Sequence, residues 1–271
     1  NIKNLKVKVL ILDIADKKNI SKIEKEIEKT DIVYHFAASI GVKLIQEHPK
    51  DTFKNSTRIN DNIFPLFEKY NKKVIFSSTS EVYGETRSEK GSSESDFLEI
   101  MPIHIPRGSY ACAKLFSEFM IKSYNFPSVI IRFFNVVGPT QTSEYGHVIP
   151  RFIKQAKNNR PLTLYNDGKM IRSFCDIRDA VEMLKILLED THNGEVYNIG
   201  NDKNVCNIKE LAEMIIKLCK SSSEIDLVPF NKAFKGKFSD IFVRYPNTDK
   251  IQKFYKCKYD LKNIIYNIIG N

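Results

Sequence analysis

The sequence predicts an α/β protein whose core is a doubly wound parallel sheet. Short apolar runs rich in Val and Ile alternate with longer segments whose apolar residues recur at helical spacing. This alternation is typical of βαβ units, which build parallel sheets. A chain of 271 residues can form one large domain or two smaller ones. The pattern of predicted strands and helices changes after Gly138-Pro139. A smaller second α/β domain is therefore expected.

The first half contains four predicted strands separated by helical or polar segments. The strands are residues 7–12, which should be buried and end at Asp13-Ile14, followed by 31–36, 73–77 and 128–133. Helices are predicted at 20–28, at 51–70 and from Tyr110 onward, whereas the polar segment 85–106 is predicted to be a loop. Pro65 is expected to kink or divide the helix 51–70, because proline cannot donate a backbone hydrogen bond.

The second half is predicted to mix short strands with amphipathic helices. The predicted helices are 148–157, 176–189, 208–219 and 261–269, and the predicted strands are 162–165 and 195–199. Residues 221–237 show no clear pattern. The two halves are expected to interleave, with a boundary near residue 140.

Composition narrows the class of protein. The five cysteines are odd in number and form no CxxC pair, which predicts free thiols in a reducing, cytoplasmic compartment and no metal site. No apolar run reaches the length of a membrane span, and no secretory signal is visible. The net charge of +9 comes from scattered lysines without a nucleic-acid-binding motif. A basic surface that attracts a small anionic substrate is therefore expected.

Tyr110 and Lys114 are four residues apart at the start of an apolar helix, so they share one helical face. A phenol has a pKa of about 10, and a neighbouring ammonium is expected to lower it. The pair could thus act as a general base, although the spacing alone also fits an ordinary core or surface role. Tyr165 and Lys169 share the spacing but enclose the turn sequence Asn166-Asp167-Gly168, which argues against a helix there.

Polar or small residues follow each predicted strand of the first half. In an open parallel sheet the carboxyl ends of the strands lie at one edge, where ligands bind. Residues far apart in sequence should therefore meet at this edge. They are Asp13 and Ile14, Ala37 and Ala38, the run Thr79-Ser80-Glu81, and Asn135.

Four motifs in order make the chain similar to a known family. They are residues 76–84 (FSSTSEVYG), Tyr110 with Lys114, residues 132–139 (RFFNVVGP) and residues 197–200 (YNIG). Over essentially its whole length the chain resembles the extended short-chain dehydrogenase/reductases, the NAD-dependent epimerase/dehydratase family that acts on nucleotide sugars. The resemblance implies an NAD-binding Rossmann-like domain at 1–140 and a nucleotide-sugar domain at 141–271, with 176–200 returning to the Rossmann-like sheet. It also implies a homodimer through the helices 51–70 and 110–124.

The chain departs from this family at its beginning. The family opens with a strand, a glycine-rich loop and a helix that holds the pyrophosphate, and no such loop is present. The sequence starts at Asn1, and an N-terminally truncated sequence is expected. The residues that distinguish NAD from NADP belong to this opening strand, loop and helix, so they cannot be read here. NAD is implied by the resemblance to family members that share the Ser-Glu and Arg features.

The resemblance also implies a role for individual residues toward the cofactor. Asp13 and Ile14 would border the adenine, and Ala37 and Ala38 would pass close to the dinucleotide. Lys114 would hold the nicotinamide ribose and lower the pKa of the catalytic tyrosine.

Further roles are implied toward a nucleotide-diphosphate sugar. Thr79 would bond the sugar hydroxyl and Tyr110, and Tyr110 would remove the proton of the C4 hydroxyl as hydride moves to NAD. Asn135 would contact the diphosphate, and Arg172 and Arg244 would clamp its phosphates, since guanidinium groups bind phosphate oxygens in pairs.

Three functions remain open at this point. The chain resembles the uronate decarboxylases at Ser80, at Arg107 and at Glu81, which would act as a catalytic carboxylate. The 4,6-dehydratases instead carry an Asp-Glu pair in place of Ser80-Glu81. A nucleotide-sugar 4-epimerase of the UDP-glucose type is the alternative. The third is a non-catalytic dinucleotide or sugar-nucleotide sensor, because fold does not fix function. The intact Thr79, Tyr110 and Lys114 argue against the sensor.

Overall fold

The computed structural model describes residues 6–38, 45, 48–142, 147–229, 232 and 240–270. Its strands are β1 (Ile32–His35), β2 (Lys73–Thr79), β3 (Ser128–Phe133), β4 (Asn135–Val137), β5 (Leu162–Tyr165), β6 (Ile171–Asp176), β7 (Val196–Ile199), β8 (Val205–Asn207), β9 (Ile225–Val228) and β10 (Val243–Arg244). Its α-helices are α1 (Ile20–Glu28), α2 (Pro49–Lys69), α3 (Gly108–Lys122), α4 (Val148–Lys157), α5 (Ile177–Ile186), α6 (Ile208–Leu218), α7 (Asp249–Gln252) and α8 (Leu261–Ile269).

The largest sheet has the strand order β1-β2-β3-β7, and every pair in it is parallel. All residues of β2 are buried, as expected for a parallel strand that helices cover on both faces. On one face Phe64 and Phe67 of α2 pack against Phe76 of β2. On the other face Ile75 and Met183 belong to a second apolar cluster. The predicted α/β class with a parallel sheet is confirmed.

A second sheet has the order β10-β6-β4, and β8 pairs antiparallel with β6. The chain passes from the first sheet to the second at Phe134, between β3 and β4. A separate parallel pair, β5 and β9, packs with α4, α6 and α8 around a third apolar cluster. The position of the domain boundary near residue 140 stays a prediction.

Most predicted helices are found close to their expected bounds, but Pro65 does not divide α2. The helix runs without interruption from Pro49 to Lys69. Pro65 lies on the exposed side, while Phe64 and Phe67 on either side of it are buried. The apolar face thus holds both halves of the helix together, and solvent compensates for the backbone hydrogen bond that proline removes.

The prediction of a buried strand at residues 7–12 is wrong. This segment forms no strand, and its apolar side chains are exposed, with Ile11 at 96%, except Leu12, which is partly exposed. Apolar residues become a strand only when a neighbouring strand pairs with them, and no described strand pairs with this segment. The turn after it is nevertheless fixed, because Asn62 of α2 donates to the carbonyl oxygen of Ile14 at 2.8 Å.

Among the described residues, no helix combines the length and apolar character that crossing a lipid bilayer requires.

A buried ion pair lies directly behind the carboxyl edge of the first sheet. Arg132 of β3 donates to both carboxylate oxygens of Glu118 on α3, at 3.0 Å from Nε and 2.7 Å from Nη2. Ser78 of β2 donates to the same carboxylate. Arg132 also donates to the Tyr83 hydroxyl at 2.9 Å, and that hydroxyl donates to Asn198 at 2.8 Å. This network joins α3, β2, β3 and β7.

Replacing Glu118 by Gln is expected to lower the free energy of unfolding by about 3–5 kcal/mol, because it leaves the Arg132 charge buried without its partner. Urea denaturation monitored by circular dichroism measures this change. Glu26→Gln is the matched control, since Glu26 forms an exposed ion pair with Lys8 whose loss should change stability little. Equal losses in the two variants would contradict the importance of the buried pair.

Candidate active site

The carboxyl ends of β1, β2 and β3 meet at one edge of the parallel sheet, as predicted. Ala38 lies just beyond β1, Thr79 ends β2, and Asn135 begins β4 directly after β3. Tyr110 lies in the first turn of α3, and its phenol is close enough to the Thr79 side chain for Thr79 to lower the phenol's pKa. Ser80, next to Thr79, is buried at the start of a 3₁₀ turn. The edge thus combines a hydroxyl, a phenol and an amide.

The expected lowering of the Tyr110 pKa is not seen. Desolvation of the phenol, and then the negative charge of Glu81, raise the pKa of Tyr110 to about 12. The hydrogen bond from Thr79 and the charge of Arg244 oppose this rise only in part. The prediction that Lys114 lowers this pKa is therefore wrong for this structure, because burial outweighs the opposing charges.

Lys114 is directed toward β2. Its ammonium donates to the carbonyl oxygen of Ser77 at 2.6 Å and lies 4.9 Å from the centre of the Phe76 ring. A longer contact of 3.5 Å joins it to the Ser77 hydroxyl. Burial lowers the pKa of Lys114 to about 8, although the carboxylate of Glu118 opposes the shift. An ammonium that titrates near neutrality is therefore fixed at the sheet edge.

Beside Tyr110 lies a row of five side chains with alternating charges, which we name the arginine row. Glu81 joins Arg244 (Nη1 to Oε1, 3.0 Å) to Arg107 (Nη2 to Oε1, 2.9 Å). Asp240 joins Arg107 (Nη1 to Oδ1, 2.7 Å) to Arg172 (Nη2 to Oδ1, 3.0 Å). All five side chains are largely buried. Three arginines and two carboxylates leave one net positive charge.

Glu81 is held in its ionised form. Its burial alone would raise its pKa, but Arg107 and Arg244 outweigh this effect and lower the pKa of Glu81 to about 2. The carboxylate therefore carries a full negative charge at neutral pH. It lies close enough to Tyr110 to raise the pKa of that phenol. Glu81 can act in this place through its charge and not as a proton donor.

Arg172 and Arg244 lie opposite each other on the neighbouring parallel strands β6 and β10. The η nitrogens of Arg172 donate to the carbonyl oxygens of Ile171, Ile241 and Phe242, at 2.6 to 3.1 Å. By contrast, the Nε atom of Arg244 is buried without a hydrogen-bond partner among the described residues. The phosphate contacts of both arginines stay predictions.

Asn135 connects the arginine row to the sheet edge. Its amide nitrogen donates to the Ser173 carbonyl oxygen at 2.8 Å, and its oxygen accepts from Nη2 of Arg244 at 3.3 Å. The side chain of Asn135 thus contacts both β6 and β10, where a polar substrate group could meet it. Its predicted diphosphate contact stays a prediction.

The sequence did not single out Asp240. It lies just beyond the segment 221–237, whose pattern predicted neither strand nor helix. A single Asp in such a segment carries no spacing that would point to a site. Only the pairing of β10 with β6 brings it to Arg107 and Arg172.

The chain is similar to known proteins over most of its length. The model of the NAD dependent epimerase/dehydratase family matches residues 1–200. The chain is 35% identical over 257 residues to a UDP-N-acetyl-alpha-D-glucosaminuronate decarboxylase of Bacillus cytotoxicus, covering 93% of this chain and 78% of that protein. It is 35% identical over 216 residues to the mouse dTDP-D-glucose 4,6-dehydratase, covering 78% of this chain and 58% of that protein.

A solved structure extends the comparison to a third reaction. The UDP-glucuronic acid 4-epimerase of Bacillus cereus superposes with a TM-score of 0.83 at 25% identity, covering 99% of this chain and 84% of that one. The family predicted from the motifs is thereby confirmed. The chain belongs to the NAD dependent epimerase/dehydratase family.

Proposed function

We propose that this chain acts on a nucleotide-diphosphate uronate, oxidises the sugar at C4 and releases the C6 carboxylate as carbon dioxide. The observation that carries the proposal is the ionised Glu81 beside Tyr110, held there by Arg107 and Arg244. The 35% identity to a UDP-sugar uronate decarboxylase supports the same reaction.

The residues at the sheet edge fit the dinucleotide that the family uses. The buried Lys114 ammonium has three N–H groups, and its contacts to Ser77 leave one for a ribose hydroxyl. Ala37 and Ala38 present small side chains just beyond β1, and Asp13 and Ile14 lie in a fixed turn. NAD, when bound, supplies the acceptor for the hydride that leaves C4.

Tyr110 removes the proton of the C4 hydroxyl. Thr79 lies close enough to the phenol to lower its pKa, so both can contact the same sugar hydroxyl. The resulting C4 ketone makes the sugar a β-keto acid. The C5–C6 bond then breaks, carbon dioxide leaves, and the electron pair passes to the C4 oxygen, where the Tyr110 phenol stabilises the negative charge by a hydrogen bond.

The arginine row supplies the binding of the anionic substrate. The Nε of Arg244 has no hydrogen-bond partner among the described residues, and Asn135 lies next to Arg244. Arg172 keeps β10 and the residues before it in place through their carbonyl oxygens. This arrangement suits a diphosphate, since arginine donors match phosphate oxygens.

A nucleotide-sugar 4-epimerase is the second candidate. It needs Thr79, Tyr110 and Lys114 but no loss of carbon dioxide, and the similar Bacillus cereus protein is a UDP-glucuronic acid 4-epimerase. The decarboxylase explains better why a carboxylate is held ionised at the site of oxidation. A dinucleotide or sugar-nucleotide sensor would not need Thr79, Tyr110 or Lys114 for catalysis.

The test is to incubate the purified chain and NAD with UDP-glucuronate, UDP-N-acetylglucosaminuronate or UDP-glucose in parallel. Carbon dioxide is trapped and the products are identified by NMR. Release of carbon dioxide from a uronate, with a pentose product, supports the proposal. Interconversion of a substrate with its C4 epimer without carbon dioxide release would favour the epimerase, and binding without turnover would favour the sensor.

We also propose that the chain forms a homodimer through α2 and α3. The two helices pack together, and Asn60 of α2 donates to the Ser117 hydroxyl of α3 at 2.6 Å. Away from this contact, Phe116 and Phe119 of α3 are exposed, the latter at 69%, as is Phe53 of α2. Large apolar side chains on neighbouring helices suit burial against a second copy of the same pair.

Phe119→Glu is expected to shift the protein from dimer to monomer, because a charge would be buried at the proposed helix interface. Size-exclusion chromatography with light scattering measures the mass. Phe97→Glu serves as the control, since Phe97 is 98% exposed in the loop after β2. A monomeric wild type, or a dimer that survives Phe119→Glu, would count against this interface.

A further inference from the structure

Asp240 occupies an unusual position in the arginine row. A single oxygen of its carboxylate, Oδ1, accepts from Arg107, from Arg172 and from the backbone N–H of Ile241, at 2.7, 3.0 and 2.8 Å. The residue that follows it, Ile241, is buried and leads into β10. Two like-charged guanidinium groups thus share one carboxylate oxygen.

The charge of Asp240 sets the net charge of the arginine row. With it, three arginines face two carboxylates, which leaves the row a surplus of one positive charge. The pKa of Arg172 is lowered to about 10, first by burial, and the charges of Arg244 and Arg107 add to this shift while Asp240 opposes it. Without Asp240, Arg107 and Arg172 would lose their shared counter-charge.

We propose that Asp240 is a built-in counter-anion that limits how tightly the arginine row holds the diphosphate of its substrate. Its carboxylate compensates the charge of Arg107 and Arg172, and so lowers the positive charge that the row presents to the substrate. The inference rests on the proposed nucleotide-sugar function. Its physical consequence is moderate product affinity, because a row with two surplus charges would retain a nucleoside diphosphate after each turnover.

The test uses UDP as the probe and isothermal titration calorimetry of the full chain. Asp240→Asn is expected to bind UDP about tenfold tighter than the wild type at low salt, since it adds one uncompensated positive charge beside the diphosphate. This gain should largely vanish near 1 M NaCl, where the Debye length is about 3 Å. Asp240→Glu retains the charge and should not show the gain.

Asp226→Asn is the matched control, because Asp226 is an exposed carboxylate of β9 and its loss changes the net charge equally. Unchanged or weaker UDP binding by Asp240→Asn, or loss of its folded structure, would overturn the proposal and show Asp240 to be structural. An equal gain in Asp226→Asn or Asp240→Glu would overturn it too. Release of carbon dioxide by the wild type tests the proposed function separately, so either idea can fail alone.

Discussion

Tyr110→Phe is expected to reduce the rate of sugar oxidation by about 10²–10⁴-fold, because the variant lacks the only oxygen that this side chain can use to accept the C4 proton. The ring, its place in the first turn of α3 and the neighbouring Thr79 remain. The measurement is the rate of NADH appearance in a single turnover with UDP-glucuronate. Binding of UDP should change little, because the arginine row supplies it.

Tyr266→Phe is the matched control, since Tyr266 is an exposed phenol on α8. It should keep the wild-type rate. Retention of that rate by Tyr110→Phe would exclude Tyr110 as the base. A loss of UDP binding in step with the loss of rate would instead indicate that the substitution disturbs the whole site.

The pH dependence gives a second readout of the same residue. The pKa of Tyr110 is raised to about 12 in the absence of ligand, so its phenolate fraction is small at neutral pH and increases as pH rises. The rate of oxidation by the wild type should therefore rise with pH across the neutral range. Tyr110→Phe should lose the part of this rise that comes from the phenol.

The sequence predicted the parts of the fold that local pattern and burial control. The strand 128–133 and the helices 20–28, 148–157 and 261–269 have the expected bounds, because apolar periodicity sets both their class and their length. The strands β4, β6, β8, β9 and β10 were missed. Their short runs carry too little periodicity, and only pairing with neighbouring strands makes them strands.

The candidate site, too, could be predicted from the sequence only in part. The meeting of Ala38, Thr79 and Asn135 could be predicted, because parallel strands bring their carboxyl ends to one edge. The ion pairs and pKa shifts of the site could not be predicted. Spacing places Lys114 one turn from Tyr110, but it does not show that the ammonium is directed to Ser77. Nor could it show that Glu81 faces two arginines, since those contacts join segments more than twenty residues apart.

Glu81→Gln is expected to lower the release of carbon dioxide by on the order of 10²-fold, because it removes one fixed charge from the site where the substrate's charge changes. The substitution preserves the size of the side chain but not the ion pairs with Arg107 and Arg244. Oxidation at C4 should fall less than about tenfold, since Tyr110 and Thr79 are retained. Trapped carbon dioxide and NADH absorbance, followed in one reaction, measure the two steps.

The comparison of the two steps separates a catalytic carboxylate from a structural one. Glu81 is anionic at all pH values well above 2, so the decarboxylation step of the wild type should show no titration of this group between pH 5 and 9. Glu213→Gln, an exposed carboxylate on α6, controls for the change in net charge. If Glu81→Gln slowed both steps equally, the carboxylate would serve mainly to hold Arg107 and Arg244. If it slowed neither, and the enzyme epimerised UDP-glucose, the 4-epimerase would replace the decarboxylase as the better assignment.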